Sequence, residues 1–304
     1  MRYQAVREWA EASNTRQLVL VEHGETVVDD TYGDDGSDPG EIASVQKSAT
    51  SIVLGQLINE GKIDLDAPLS EYLGPGWTKA PRPFEDRITV RFVATLRTGL
   101  DDALEPDGEP GRDWYYCNNA YHELRRALEV IEGVDTNTLF ADRLFGRLGM
   151  ASSSWYSRPW APALMGLEST AADLARLGVA VLRRDDALGC TPDYLDLLTT
   201  PSSANPTYGL LWWLFESETG IVTGHRRGEE PSAHRRFGGI ELTRRRAPSA
   251  PLDTIAGSGA GDQRLYICPS RDLVAVRLGR PVAEMNAAAG PFDEEFWSRM
   301  PDQD

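Results

Sequence analysis

The stretch Ala43-Ser44-Val45-Gln46-Lys47-Ser48 runs directly into the apolar segment Ile52-Val53-Leu54-Gly55-Gln56-Leu57-Ile58. That segment is too continuous for a half-exposed strand, and Asn59-Glu60-Gly61 closes it as a helix stop does. The spacing therefore predicts a helix that begins at or near Ser44. Residues i and i+3 share a helix face, so Ser44 and Lys47 can meet. A serine hydroxyl is a weak nucleophile until a base accepts its proton, and lysine serves as that base only while its amine is uncharged. Burial in an apolar helix disfavours the ammonium, as does the positive end of the helix dipole. The free N–H groups of a helix start can also hold an oxyanion. One turn of helix would thus supply nucleophile, base and part of an oxyanion hole. The ordinary alternative, a serine cap followed by a solvated lysine, stays open on this pair alone.

Composition narrows the function classes. The 304 residues are enough for a full core and for two subdomains. A net charge of −16 makes nucleic acid and anionic membranes poor partners for the molecule as a whole. Only Lys47, Lys62 and Lys79 among the 31 basic residues are lysines, which makes one in an apolar setting more notable. Cys117, Cys190 and Cys268 form no Cys-x-x-Cys pair, and His23, His122, His225 and His234 have no metal-ligand spacing. No cofactor or metal is expected. The N-terminus lacks an apolar leader core, and no run of about eighteen apolar residues occurs. The expectation is a cytoplasmic protein with reduced thiols.

Along the chain, residues 2–12 read as an amphipathic helix. Gln17–Glu22 reads as a strand, His23-Gly24 as a tight turn, and Glu25–Val28 as the returning strand. Further helices are predicted at 88–96, with Thr89 as cap, from about Asn118 through Ile131, and at 137–148 and 170–183. Leu210–Phe215, Arg264–Cys268 and Leu273–Leu278 read as strands, and the region around Phe292–Trp297 as a terminal helix. Residues 217–253 carry Arg226, Arg227, Arg235, Arg236, Arg244, Arg245 and Arg246. They read as hairpin and loop, either solvated or serving as a lid or rim that attracts an anionic substrate. Strands at both ends with helices between predict an α/β (α+β) architecture: an antiparallel sheet of five or more strands, flanked by terminal helices, with an inserted helical region. The expected division is 1–40 with 205–304 as the sheet subdomain and 41–204 as the helical one, with the active site at their interface.

Two further segments bear on the chemistry. Tyr115-Tyr116-Cys117-Asn118-Asn119 precedes a helix, and Gly257-Ser258-Gly259-Ala260-Gly261-Asp262 precedes a strand pair. Taken singly, Asn118 is an ordinary helix cap and the glycine run an ordinary bulge or turn. Glycines would also let a strand backbone approach a substrate closely. In order and with their spacing, Ser44-x-x-Lys47, Tyr116-x-Asn118 and the glycine segment resemble the serine β-lactamase and penicillin-binding-protein superfamily. The likeness is to its class C β-lactamase branch, which includes esterases, D-amino-acid peptidases and 6-aminohexanoate-dimer hydrolases. It runs from the first hairpin to Gly279, and Gly61–Asp66, Thr98-Gly99-Leu100, Ser169–Arg176 and Pro269–Arg277 support it.

The resemblance implies Ser44 as acylated nucleophile and Lys47 as acceptor of its proton, with Tyr116 sharing the proton traffic. It implies Asn118 as a contact to the acyl group and to Lys47, Ser258 and Gly259 as substrate contacts, and the N–H groups of Ser44 and Ala260 as oxyanion hole. Relatives often carry Lys or His before the glycine of the third motif. Gly257 and Ser258 stand there instead, so the carboxylate binding of true β-lactamases is not implied. Asp262 also stands where glycine is common.

The expected activity is hydrolysis of a small ester or amide through an acyl-serine. One alternative is transfer of the same acyl group to an amine or alcohol. Another, of a different class, is a non-catalytic binding protein on this fold. Cys117 with His122 is a remote nucleophile pair, since i+5 spacing points the two side chains to different faces.

Overall fold

The computed structural model describes residues 2–159, 161–223, 239–280 and 291–302. Its centre is the strand β1 (Thr15–Glu22), buried along its whole length. Successive side chains of a strand point to opposite faces, and here both faces are covered. Val19 and Val21 enter one core with the helices α2 (Gln46–Asn59), α3 (Asn118–Glu132) and α4 (Ala171–Arg183). Leu18 and Leu20 enter a second core with α1 (Gln4–Ala12) and α5 (Pro291–Trp297).

The hairpin from β1 to β2 (Glu25–Thr31) turns through His23 and Gly24, with φ of 53° and 80°. Positive φ at both central residues matches the right-handed twist of the flanking strands. Beside β1 lies β11 (Leu273–Gly279), with Leu20 opposite Ala275. The full order is β2-β1-β11-β10-β9-β6, where β10 is Gln263–Cys268, β9 Ile255–Gly259 and β6 Trp213–Leu214. All of these pairings are antiparallel. The expected sheet of at least five strands, flanked by terminal helices, is therefore present with six. Asp293 of α5, fully buried, pins that helix to the sheet by accepting from Arg246 Nε at 2.5 Å, Arg264 Nε at 2.7 Å and Tyr266 Oη at 2.6 Å.

Two expectations change. Leu210–Phe215 is strand only at Trp213–Leu214; Leu211 is left-handed with φ of 63°, and Tyr208 bridges to Trp213 across a tight turn. The run is apolar because all of it is buried, not because all of it is extended. Between residues 148 and 170, where no element was expected, lie β4 (Ser154–Arg158) and β5 (Ala161–Ser169), which join β3 (Gly40–Glu41) in a second antiparallel sheet of order β3-β5-β4. Pro159 and Pro162 interrupt its pattern and hide it.

In the arginine-rich region, β7 (Gly220–Thr223) pairs antiparallel with β8 (Gly239–Leu242). Arg226, Arg227, Arg235 and Arg236 lie outside the described residues. Arg246, by contrast, is a buried core cation over the rings of Trp213 and Phe215, not part of a solvated rim. No helix among the described residues is long and apolar enough to cross a membrane.

Candidate active site

Ser44 sits in a single 3₁₀ turn, Ala43–Val45, that feeds directly into α2. Ala43 holds a left-handed φ of 48°, a conformation that costs a non-glycine residue energy and collects at functional sites. Val45 takes the cap position of α2 without a side-chain cap, so the Ser44 hydroxyl does not serve as one. Lys47 is 2% exposed. Its Nζ donates to Ser44 Oγ at 3.2 Å and to Asn118 Oδ1 at 2.7 Å, and lies 4.7 Å and 4.5 Å from the ring centres of Tyr116 and Tyr121. Burial lowers its pKa from 10.5 to about 7, with the Arg158 guanidinium adding to the effect. The capped-serine and solvated-lysine alternative is thereby removed.

Tyr116 is buried and hydrogen-bonded to Ser44. Burial pushes its phenol well above the ordinary value, and the Ser44 hydrogen bond only partly opposes this. Near neutral pH the group of this trio that changes charge is therefore Lys47, while Tyr116 keeps its proton. The stacked indole of Trp213, 6.0 Å away at 11°, fixes the phenol ring.

Asn118 opens α3, but it is not the cap. That place belongs to Cys117, whose Sγ accepts from Ala120 N at 3.4 Å while its thiol donates to Asp101 O at 3.2 Å. A sulfur cap leaves the Asn118 amide free to face Lys47. It also disposes of the cysteine pairing: burial pushes the Cys117 thiol up to about 12 and the His122 imidazole down to about 2, so neither ionises near neutral pH.

The third motif forms the end of β9. A Cβ on Gly259 would lie 2.4 Å from Ile42 O and 3.0 Å from Ser44 N, and one on Gly257 would lie 3.0 Å from Ser48 Oγ. These two glycines therefore let the strand approach the backbone and helix that carry the nucleophile. The expectation had been close approach to a substrate. Gly261, with φ of 74°, and Asp262, with φ of 57°, make the turn into β10. The Ser258 hydroxyl accepts from Arg246 Nη2 at 3.3 Å. Ser44, Asn118 and Ala260, one residue from each motif, line one cleft of about 280 Å³.

That cleft has walls the sequence reading missed. Gln46, His122 and Arg158 line it too. Arg158 Nη2 donates to Glu41, which also accepts from Tyr156 Oη at 2.5 Å. Gln46 stood inside the quoted stretch, but nothing local marks Arg158, which the unrecognised second sheet delivers. No group of three or more His, Cys, Asp or Glu among the described residues could hold a metal ion.

The family model described as Beta-lactamase matches residues 15–279. The chain belongs to the β-lactamase family. An uncharacterized protein of Alkalihalophilus pseudofirmus is 24% identical over 118 residues, 38% of this chain and 33% of that protein, so the match spans about a third of the relative's length. A β-lactamase structure from Mycobacterium bovis superposes with a TM-score of 0.69 at 18% identity, covering 96% of this chain and 97% of the other. EstCE1, described as a hydrolase with promiscuous acyltransferase activity, superposes at 0.71 with 15% identity, covering 98% and 97%. At these identities the likeness to solved structures establishes the β-lactamase fold. The family membership rests on the family model.

Proposed function

We propose that this β-lactamase family member is a serine hydrolase that cleaves a small ester or amide through an acylated Ser44. The observation that carries the reading is the buried Lys47 amine held between Ser44 Oγ and Asn118 Oδ1. Uncharged Lys47 accepts the Ser44 proton as Oγ adds to the substrate carbonyl. The oxyanion then meets the N–H groups of Ser44 and Ala260. Collapse expels the alcohol or amine, which takes a proton from Tyr116 Oη. Tyr116 recovers one from Lys47, and the acyl group stays on Ser44. Water then adds to that ester with Lys47 again as base, and collapse releases the acid as Lys47 returns the proton to Ser44 Oγ. Asn118 and Ser258 contact the substrate, with the Gly259 backbone close beside it.

Acyl transfer is a second reading, motivated by the activity ascribed to EstCE1. An amine or alcohol would then replace water at the acyl-Ser44 stage. Incubation with chromogenic esters, with and without candidate amines and alcohols, separates the two by product mass. Acid alone supports hydrolysis, and an acceptor adduct that grows at the acid's expense supports transfer. No turnover and no covalent adduct on any ester, D-amino amide, linear amide or nitrocefin would leave a binding protein.

A further inference from the structure

Arg246 has no part in the chemistry proposed above, yet two independent routes of contact place its charge beside that chemistry. The first runs along β9. Arg246 Nη2 donates to Ser258 Oγ at 3.3 Å. The next residue, Gly259, packs so tightly on the nucleophile turn that a Cβ there would lie 3.0 Å from Ser44 N. The second runs through the aromatic side chains. The Arg246 guanidinium lies 5.1 Å from the ring centre of Trp213, whose indole stacks on Tyr116, and the Tyr116 phenol is hydrogen-bonded to Ser44.

The charge on Arg246 is only partly offset. Its Nε donates to Asp293 Oδ2 at 2.5 Å, but Asp293 Oδ1 also serves Arg264 Nε and Tyr266 Oη. One buried carboxylate thus answers two guanidiniums, and the other acid near Arg264, Asp262, is 3.5 Å away. Arg246 Nη1 has no partner among the described residues. Arg246 and Asp293 have side chains 2% and 0% exposed, so water does little to screen what remains. The rings of Trp114 and Tyr208, which also flank Tyr116, bring no charge against it. Arg246 accordingly opposes the burial that raises the phenol's pKa.

We infer that Arg246 is a positioning residue of the acyl-serine reaction, a fixed cation that favours proton transfer from the Tyr116 hydroxyl to the leaving group. This deepens the reading of Ser44 as acylated nucleophile and rests on it. As the bond between the acyl carbon and the leaving oxygen breaks, that oxygen keeps the electron pair and takes the Tyr116 proton. The phenolate left behind is stabilised by a neighbouring cation until Lys47 returns a proton.

The test follows ethyl, phenyl and 4-nitrophenyl butyrate, and the rate of Ser44 labelling by a fluorophosphonate, in the wild type and in Arg246→Gln. Circular dichroism checks the fold. Glutamine keeps an N–H donor and removes the charge. An alkoxide leaves poorly without a proton, whereas nitrophenolate and fluoride need none. The expected kcat/KM of Arg246→Gln falls about tenfold or more for the ethyl ester. It changes by no more than about threefold for the nitrophenyl ester and for labelling, with the phenyl ester between. Arg246→Lys keeps a cation for Asp293 and carries the test should the glutamine variant not fold. Its ethyl-ester kcat/KM should stay within about threefold of the wild type. Equal losses for every ester and for the label, no loss on the ethyl ester, or a loss of about tenfold in the lysine variant overturns the role of Arg246 while leaving the nucleophile intact. Failure of the wild type to turn over any ester and to take the label overturns the underlying acyl-serine reading instead, which separates the two failures.

Discussion

Replacing Lys47 by Met should make the protein more stable at neutral pH while abolishing turnover. The amine has a pKa of 10.5 when solvated and about 7 where it sits. At about 1.4 kcal/mol per pH unit, that difference makes burial of the amine cost about 4 kcal/mol at pH 7. Met fills a similar volume without the charge, but it orphans Asn118 Oδ1, which returns about 2 kcal/mol. The net expectation is a variant about 2 kcal/mol more stable at pH 7. The sign with pH follows from the direction of the shift. The folded pKa lies below the unfolded one, so between pH 7 and 10.5 the unfolded chain holds more protons, and wild-type stability rises with pH in that window. By pH 9 the penalty has fallen by about 2 kcal/mol, and the advantage of the variant should have nearly vanished. Urea denaturation of both proteins at pH 6.5, 7.5 and 9, with equal m-values, measures this. A variant less stable at pH 7, or a difference that does not change with pH, would refute the claim that the amine is held against its preference for water.

The same shift fixes the pH–rate profile: kcat/KM for a neutral ester should fall below an apparent pKa near 7, as Lys47 takes up its proton, and a profile flat from pH 5 to 9 would remove Lys47 as base. Cys117→Ser should keep at least half of the wild-type activity, because the side chain caps α3 and serine caps well; complete loss, checked on a variant with unchanged circular dichroism, would reinstate the thiol. Gly259→Ala should destabilise by about 2 kcal/mol and slow acylation at least tenfold, because the new Cβ meets Ile42 O and Ser44 N; wild-type rates would show that β9 does not position the nucleophile.

The parts of the fold legible in the sequence are those whose signals are local. The β1–β2 turn needs two left-handed residues and shows His23-Gly24. Thr89 announces a helix start and accepts from Phe92 N as expected. Ser44 and Lys47 are one turn apart, so helix geometry alone brings them within reach. What failed depended on distant partners. The sheet formed by β3, β5 and β4 has no alternation to betray it, with prolines inside it and a two-residue strand drawn from more than a hundred positions away. Arg158 therefore reached the cleft unseen. Asn118 read as a cap because the residue before it, a cysteine, is a poor candidate by composition. Only the fold reveals that Cys117 takes that place and releases the asparagine toward Lys47. The glycines of the third motif suggest close approach to a substrate, whereas Gly257 and Gly259 lie against Ser48, Ile42 and Ser44, a contact that needs the placement of β9 beside the turn at Ser44.

The most direct test of the central claim is the position of a covalent adduct. The protein and its Ser44→Ala variant are each treated with a fluorophosphonate, and intact mass and peptide mapping locate the label. The account predicts one equivalent on Ser44 in the wild type and none in the variant. Equal labelling of both proteins, or a label mapped to any other residue, would contradict it.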